Sequence, residues 1–568
     1  MPRVLIVQTT RMGDTLQTSP LIRQARRAWP DAHITVMVRG MGRAIVERHP
    51  DVDEVILYNE DDMFLHMQSQ DSERYLEAYR LARNLVARLR AERFDIAVNV
   101  THSLASAMLL KMAEIPRVIG AHLSDDGYLV LRGGWPTYFF TSVYSREFND
   151  LNLCDITRHF VPAPEPCREL ILRLTPEDLD SADALLREHG VDPTRDFIVC
   201  MQLGASESIK RWSEERFAEL ARLLRDRHNA RIFLVGVQNE APLGEVFARF
   251  APDTATPLFG KTTLPQLAAL LARSRFLVTN DTGTMHIAAA VKCPVVLVSV
   301  GPVHYRETGP FGEGHCAVEW RRPWAGRSDI SRAWEEERTL LRAAQVSRAV
   351  ELLLAGARDF SPARQVREDD ELKQVDIQIT RFAPDGCLEY YPAIRREMGE
   401  MDFLRAAYRA MWLEHLTENR ETERGDVDAM ETLVSFFEAP TPDTVHQWVD
   451  LHRGAFGEMA ARAESGRALC DRLILHLENR GSMIEARDMA RELTRLDEAL
   501  RVFAEVHHGC RPLATMARFE RDNLEGMDPL RLARTTRDIY AAMAERATLM
   551  TQKIELLGNI LKRTRTVP

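Results

Sequence analysis

One pattern constrains this chain more than any other: an apolar strand runs into a small-polar loop and then a helix, and the plan restarts. The first instance is VLIVQTTRMGD at residues 4–14, the second FIVCMQLGAS at residues 197–206. Between and after them, short β-branched runs alternate with longer amphipathic stretches. The strand candidates are Val4–Gln8, His33–Val38, Val55–Tyr58, Phe94–Val100, Phe197–Met201, Arg231–Gly236, Phe276–Asn280 and Val295–Val300. Helical patterns include Glu214–Arg225, Leu264–Ala272 and Ala343–Leu354. Continuous apolar runs suit parallel strands buried on both faces. Strand–helix alternation predicts right-handed βαβ units and open sheets whose ligands sit beyond the carboxyl ends of the strands.

A proline-rich break, VPAPEP at Val161–Pro166, separates the two rounds, and a helical stretch at Pro176–His189 leads into the second. The reading is therefore three segments within the 568 residues: an α/β domain at 1–165, a second at 166–358, and a mostly helical domain at 365–568. The last opens with an expected hairpin, Gln374–Phe382 and Cys387–Tyr391 about an Ala383-Pro384-Asp385-Gly386 turn. Phe403–Glu418, Thr444–Leu451, Met459–Glu478, Met483–His507 and Leu530–Lys562 then read as an antiparallel bundle.

Composition narrows the function classes. Apolar residues make up 45% and charged residues 28%, so a sizeable core is expected. The net charge of −10 divides into −3 over residues 1–363 and −7 over 364–568, which argues against nucleic-acid binding. No apolar run approaches the ~18 residues of a membrane span. The start, MPRVLIVQTT, lacks the features of a secretory signal, and the expectation is a cytoplasmic protein. The eight cysteines include no C-x-x-C pair and read as isolated buried thiols.

Three loops could carry chemistry. In Thr9-Thr10-Arg11-Met12-Gly13-Asp14, Asp14 could take a proton from a substrate hydroxyl, or it could simply cap a helix. Pro20 either starts the helix proper or kinks it. In Gly204-Ala205-Ser206 and Lys210-Arg211-Trp212, small residues allow close backbone approach to a ligand. Lys210, one of only seven lysines, could neutralise a phosphate, or Lys210-Arg211 could be a solvated pair. In Asp281-Thr282-Gly283-Thr284-Met285-His286, a strand enters a glycine turn and a helix N-terminus, which suits an anion. Backbone N–H groups at Thr282–Thr284 would face a phosphate, with His286 adding a donor; the alternative is an N-cap with a core histidine. Two decoys fail: Gly260-Lys261-Thr262 lacks the earlier glycine of a P-loop, with Ala255 in its place, and Gly40-Met41-Gly42 lacks the third dinucleotide glycine.

Together these loops resemble the ADP-heptose:lipopolysaccharide heptosyltransferases, glycosyltransferase family nine. The residues are Val4–Val7 with Gly13-Asp14 and Pro20; Gly204-Ala205-Ser206 with Lys210-Arg211-Trp212; Gly260-Lys261-Thr262 with Leu264 and Leu270; Asp281-Thr282-Gly283 with His286; and Gly301-Pro302 with Gly309-Pro310. The match spans roughly residues 1–355, with Thr284 and Met285 departing from the expected motif. The resemblance implies a GT-B fold, two Rossmann-like doubly wound domains facing a cleft. It implies inverting heptose transfer from an ADP-sugar to a lipopolysaccharide-core or other glycan acceptor, with no obligatory metal or other cofactor.

By the same resemblance Asp14 is the general base and Lys210 stabilises the leaving diphosphate. Gly204, Ser206, Asp281, Thr282, Gly283, Thr284 and His286 line the donor side, and Glu240 is a candidate for the ribose. Arg11 and Gly13 are acceptor-side candidates, and Arg23, Arg26 and Arg27 on the first helix either face an anionic acceptor or form a solvated helix face. A lipid-linked acceptor implies a peripheral position at the inner face of the inner membrane, and the helical segment is expected to be a separable module that binds a protein partner or positions the acceptor. Two other readings are a sugar-nucleotide-binding scaffold with a helical tail and a GT-B-fold epimerase.

Overall fold

The computed structural model describes residues 1–68, 71–321, 339–417 and 423–564. The chain packs as two compact units that alternate along its length. One gathers residues 8–78 and 151–396 (with Met1); the other gathers 2–7, 79–150 and 397–568. In chain order the strands are β1 (Arg3–Gln8), β2 (His33–Val38), β3 (Glu54–Leu57), β4 (Ile96–Asn99), β5 (Arg117–Leu123), β6 (Leu129–Arg132), β7 (Ile198–Gln202) and β8 (Arg231–Val235). They continue as β9 (Ala255–Pro257), β10 (Phe276–Thr279), β11 (Val295–Ser299), β12 (Cys316–Trp320), β13 (Val366–Arg367), β14 (Val375–Phe382), β15 (Leu388–Pro392) and β16 (Ile394–Arg395).

The first unit is built on an eight-stranded sheet of order β15-β14-β12-β11-β10-β7-β8-β9. From β9 through β12 the neighbours are parallel. Strands β7, β10 and β11 are buried at every position, as their apolar, β-branched sequences require. Register sets up the site. Gln202 pairs with Thr279 on one side and Val235 on the other, so β7, β8 and β10 end level and their loops leave from one edge. In the same unit β2 runs parallel to β3. Pro20 lies in the first turn of the Ser19–Ala28 helix and starts it rather than kinking it.

The hairpin forms, but not at the head of the helical segment. It belongs to the first unit, where β14 pairs antiparallel with β12 and with β15. A buried ion pair holds it there. Asp155 accepts from the Leu388 N–H at 2.7 Å, and Arg158 donates to the Gly386 carbonyl at 2.9 Å. The partner strand β12, CAVEW, is short and lies just before a polar stretch, so the sheet edge that recruits the hairpin is hard to see in the sequence.

In the second unit β1 runs parallel to β4, β4 to β5, and β6 returns antiparallel. The helices Glu400–Leu416, Glu423–Ser435, Pro442–Glu478, Met483–Val506, Arg511–Asp522 and Pro529–Thr564 complete it. Glu418, the expected end of the first, lies outside the described residues. The two stretches expected at Thr444–Leu451 and Met459–Glu478 are one helix of 37 residues. Exposed Gly454 and Gly457 lie between the two stretches, and the helix is held through them by its packing. At Gly466 a Cβ would fall 2.6 Å from the Tyr540 ring, and at Gly558 one would fall 2.7 Å from Val449. Such close approach of two long helices outweighs the ~1 kcal/mol that an exposed helical glycine costs. Among the described residues no helix is long and apolar enough to cross a membrane. All eight cysteines are buried and free.

Candidate functional site

The site is assembled from the loops at the level edge of the eight-stranded sheet. At the end of β7, Gln202 is 3% exposed. Its Nε2 donates to Glu240 Oε2 at 2.8 Å, and its Oε1 accepts from the Thr284 hydroxyl at 3.2 Å. Glu240 follows β8 and also accepts from the Val237 N–H at 3.0 Å. Its carboxylate occupies space that two glycines leave open: a Cβ on Gly204 would lie 1.6 Å from Oε1, and one on Gly236 2.2 Å from Oε2.

Asn280, fully buried after β10, fastens the second loop. Its Nδ2 donates to the carbonyls of Leu203 (2.9 Å) and Gly204 (3.2 Å), and its Oδ1 accepts from the Trp212 N–H at 2.9 Å. One side chain thus holds both the Gly204 turn and the Lys210-Arg211-Trp212 segment. The Trp212 indole donates in turn to the Leu341 carbonyl at 2.8 Å. Gly301, at φ +69°, lies under this segment; a Cβ there would meet the Ile209 carbonyl at 2.4 Å. Lys210 is mostly buried, its ammonium 3.6 Å from Glu207. Ser206 is exposed.

The Asp281–His286 segment turns into the Gly283–Ala290 helix with Thr282 at the N-cap. Thr282 and Thr279 hydroxyls lie 3.2 Å apart, and Asp281 is half-buried. This helix meets the first loop. A Cβ on Gly13 would lie 3.1 Å from the His286 ring, and one on Gly283 would lie 3.0 Å from Met12 and 3.8 Å from the Gly13 nitrogen. Two small residues therefore let two helix N-termini approach. His286 is buried and its Nδ1 has no hydrogen-bond partner among the described residues. Burial lowers its pKa to about 4, opposed by the charge of Asp14. The ring is neutral at physiological pH.

Asp14 is the third residue of the Met12–Gln17 helix. Its Oδ2 accepts from the Thr10 hydroxyl at 2.7 Å and the Arg11 N–H at 3.1 Å, so it does cap the helix. The two sequence readings are compatible, because Oδ1 takes no hydrogen bond among the described residues. The guanidinium of Arg11 is exposed. Arg23, Arg26 and Arg27 lie on the next helix and each has partners inside the protein. Arg23 pairs with Asp51 at 2.5 Å, Arg26 binds Asp53 and three carbonyls, and Arg27 donates to the Glu165 carbonyl at 2.8 Å.

The structure thus brings together Gly13, Asp14, Gly283 and His286, and separately Gly204, Glu240 and Thr284. Gln202 and Asn280, which join these parts, were not singled out in the sequence. The available signal was a polar residue ending each of two otherwise apolar buried strands. Among the described residues no group of three or more His, Cys, Asp or Glu is arranged to hold a metal ion.

An open parallel sheet whose strand ends present glycine turns and a helix N-terminus is an α/β architecture suited to anions at its carboxyl edge, and the fold is GT-B-like. Residues 82–322 match the family model for glycosyltransferase family 9 (heptosyltransferase). It is 26% identical over 321 residues to lipooligosaccharide heptosyltransferase 2 of Haemophilus influenzae, covering 55% of this chain and 86% of that one. It is 27% identical over 305 residues to lipopolysaccharide heptosyltransferase 2 of Salmonella typhimurium, covering 52% and 81%. In fold it is similar to the family 9 glycosyl transferase of Veillonella parvula, with a TM-score of 0.51 and 20% identity over 62% of this chain and 97% of that one.

Proposed function

We propose that this protein is an inverting glycosyltransferase that moves a heptose or similar sugar from an ADP-sugar to a lipopolysaccharide-core or other glycan acceptor. The acceptor hydroxyl attacks the anomeric carbon, the bond from that carbon to the diphosphate oxygen breaks, and ADP leaves. Asp14 Oδ1 takes the hydroxyl proton. Lys210 and the backbone N–H groups at the start of the Gly283–Ala290 helix offset the charge that develops on the diphosphate. Glu240 takes the ribose. The observation that carries this reading is the close approach of Gly13 to His286 and Gly283. It sets a carboxylate with an open oxygen beside an anion-suited helix terminus.

In this reading residues 1–165 serve the acceptor, 166–358 the donor, and the enzyme works peripherally at the inner face of the inner membrane. The helices after residue 397 recruit a partner or position the acceptor. The test is Asp14→Asn, which keeps an acceptor for the Arg11 N–H and so preserves the cap. Transfer should fall between 10²- and 10⁴-fold while ADP binding persists. Retention of more than about a tenth of the rate would remove Asp14 as base. A wild-type protein that binds ADP-sugar but consumes none in the presence of core acceptor would support the scaffold reading instead.

A further inference from the structure

The Thr284–Gln202–Glu240 chain of hydrogen bonds has a property that the donor loops taken singly do not. Gln202 offers a donor at one end of its amide and an acceptor at the other, and both are used inside the protein. Its Nε2 ties down one oxygen of Glu240. The Val237 N–H ties the same oxygen, and Gly204 and Gly236 leave room for the carboxylate in that position. Oε1 accepts no hydrogen bond among the described residues and is the oxygen available to a ligand. At the other end, the Thr284 hydroxyl hydrogen points to Gln202. Thr284 therefore serves an anion through its backbone N–H, and its side chain reports the position of the helix terminus to Gln202. All three groups are at least half-buried, where hydrogen bonds to a charged group are strong and orientation is costly to change.

We propose that Gln202 is a positioning residue that couples the two ends of the nucleotide site: the anion-suited turn at Thr282–Thr284 and the ribose-side carboxylate of Glu240. This rests on the reading that a nucleoside diphosphate occupies these loops. A glutamate at 202 would set two carboxylates at hydrogen-bonding distance. A methionine would match the length and make neither bond.

The experiment compares ADP with 2′,3′-dideoxy-ADP by calorimetry on the full chain, in wild type, Gln202→Met, Thr284→Val and Thr284→Ser, each checked for an unchanged thermal transition. The wild type should prefer ADP by about tenfold or more, the size expected when a hydroxyl bonded to a charged group is lost. In Gln202→Met and Thr284→Val the preference should shrink to less than about threefold, because Glu240 is no longer aimed. Thr284→Ser keeps the hydroxyl and should restore it. With ADP-sugar as substrate, KM for the donor should rise by more than kcat falls. Full discrimination in Gln202→Met, or in Thr284→Val, overturns the coupling and leaves the donor assignment standing. Failure of the wild type to bind ADP overturns both.

Discussion

The loops of the first unit and the helices of the second hold their polar groups differently. In the helices, buried cations are closed into pairs. Arg546, 2% exposed, grips Glu520 with both terminal nitrogens and donates through Nε to His415 at 2.9 Å. Lys553 pairs with Glu414, and Tyr408 donates to the Gly509 carbonyl. In the loops, polar atoms are held in place but left open: Asp14 Oδ1, Glu240 Oε1 and the buried Nδ1 of His286. A buried polar atom without a partner costs about 1–3 kcal/mol, so a fold keeps one where something else supplies the partner. Unpartnered buried atoms occur in the second unit as well, at Arg511 Nε and Thr417 Oγ1, so what marks the loop atoms is their position beside glycine turns rather than the lack of a partner alone.

The largest expected effect lies on the helical side. Arg546→Ala removes a buried cation and leaves the half-buried Glu520 unpaired, which should cost up to about 3–5 kcal/mol, read as a lowered unfolding midpoint. ADP affinity measured below that midpoint should not change. A parallel loss of affinity would break the comparison, since it would make the helical unit part of the donor site. A smaller, opposite pattern is expected on the loop side. Gly204→Ala pushes a methyl group into the Glu240 carboxylate. Donor affinity should fall by about 10- to 100-fold, matching ~1.5–3 kcal/mol for a hydrogen bond to a charged group. The unfolding midpoint should move little, because Glu240 can swing toward solvent.

Much of this contrast was legible in the sequence, but unevenly. Strands β7, β8, β10 and β11 announce themselves as β-branched runs, and the loops that follow them carry the small residues and charges of the site. Local chemistry also settles Pro20 and the Asp385-Gly386 turn. What the sequence does not carry is pairing between distant segments. Strand β12 and its antiparallel partner β14 are separated by more than fifty residues, so the hairpin's place in the eight-stranded sheet depends on an edge that only the fold creates. Strands β5 and β6 were missed because Gly120 and the polar turn between them interrupt the apolar pattern. The unbroken Pro442–Glu478 helix was missed because its two exposed glycines weaken a propensity that packing then restores. In the site, Asp14 was read as either cap or base, and geometry shows that different oxygens can serve the two roles. Gln202 and Asn280 were passed over because their importance lies in what they bridge, at 82 and 77 residues' separation, not in their neighbours.

The smallest effect sharpens the comparison through pH. In the first unit burial lowers the pKa of four histidines: His49 and His286 to about 4, His159 and His315 to about 3. Unfolded, each takes a proton near 6.5. Between about pH 6.5 and 4 the unfolded chain therefore binds more protons than the folded one. Stability is full above that window and is lost as pH falls through it, by at most ~1.4 kcal/mol per pH unit for each histidine. In the second unit His415 is lowered to about 3 by burial and by Arg546, and burial also lowers His102 and His122. The acid sensitivity should therefore be shared between the units, with the larger set of lowered histidines in the first. His315 gives the cleanest test, because its Nδ1 accepts from the Val295 N–H at 3.2 Å and a proton there would face that donor. His315→Gln keeps an acceptor in place and removes the titration. The slope of stability against pH between 6 and 5, from denaturant unfolding, should fall by about one proton relative to wild type. An unchanged slope would mean that His315 escapes its burial before the chain unfolds, and the acid response would then have to be sought in the other lowered histidines.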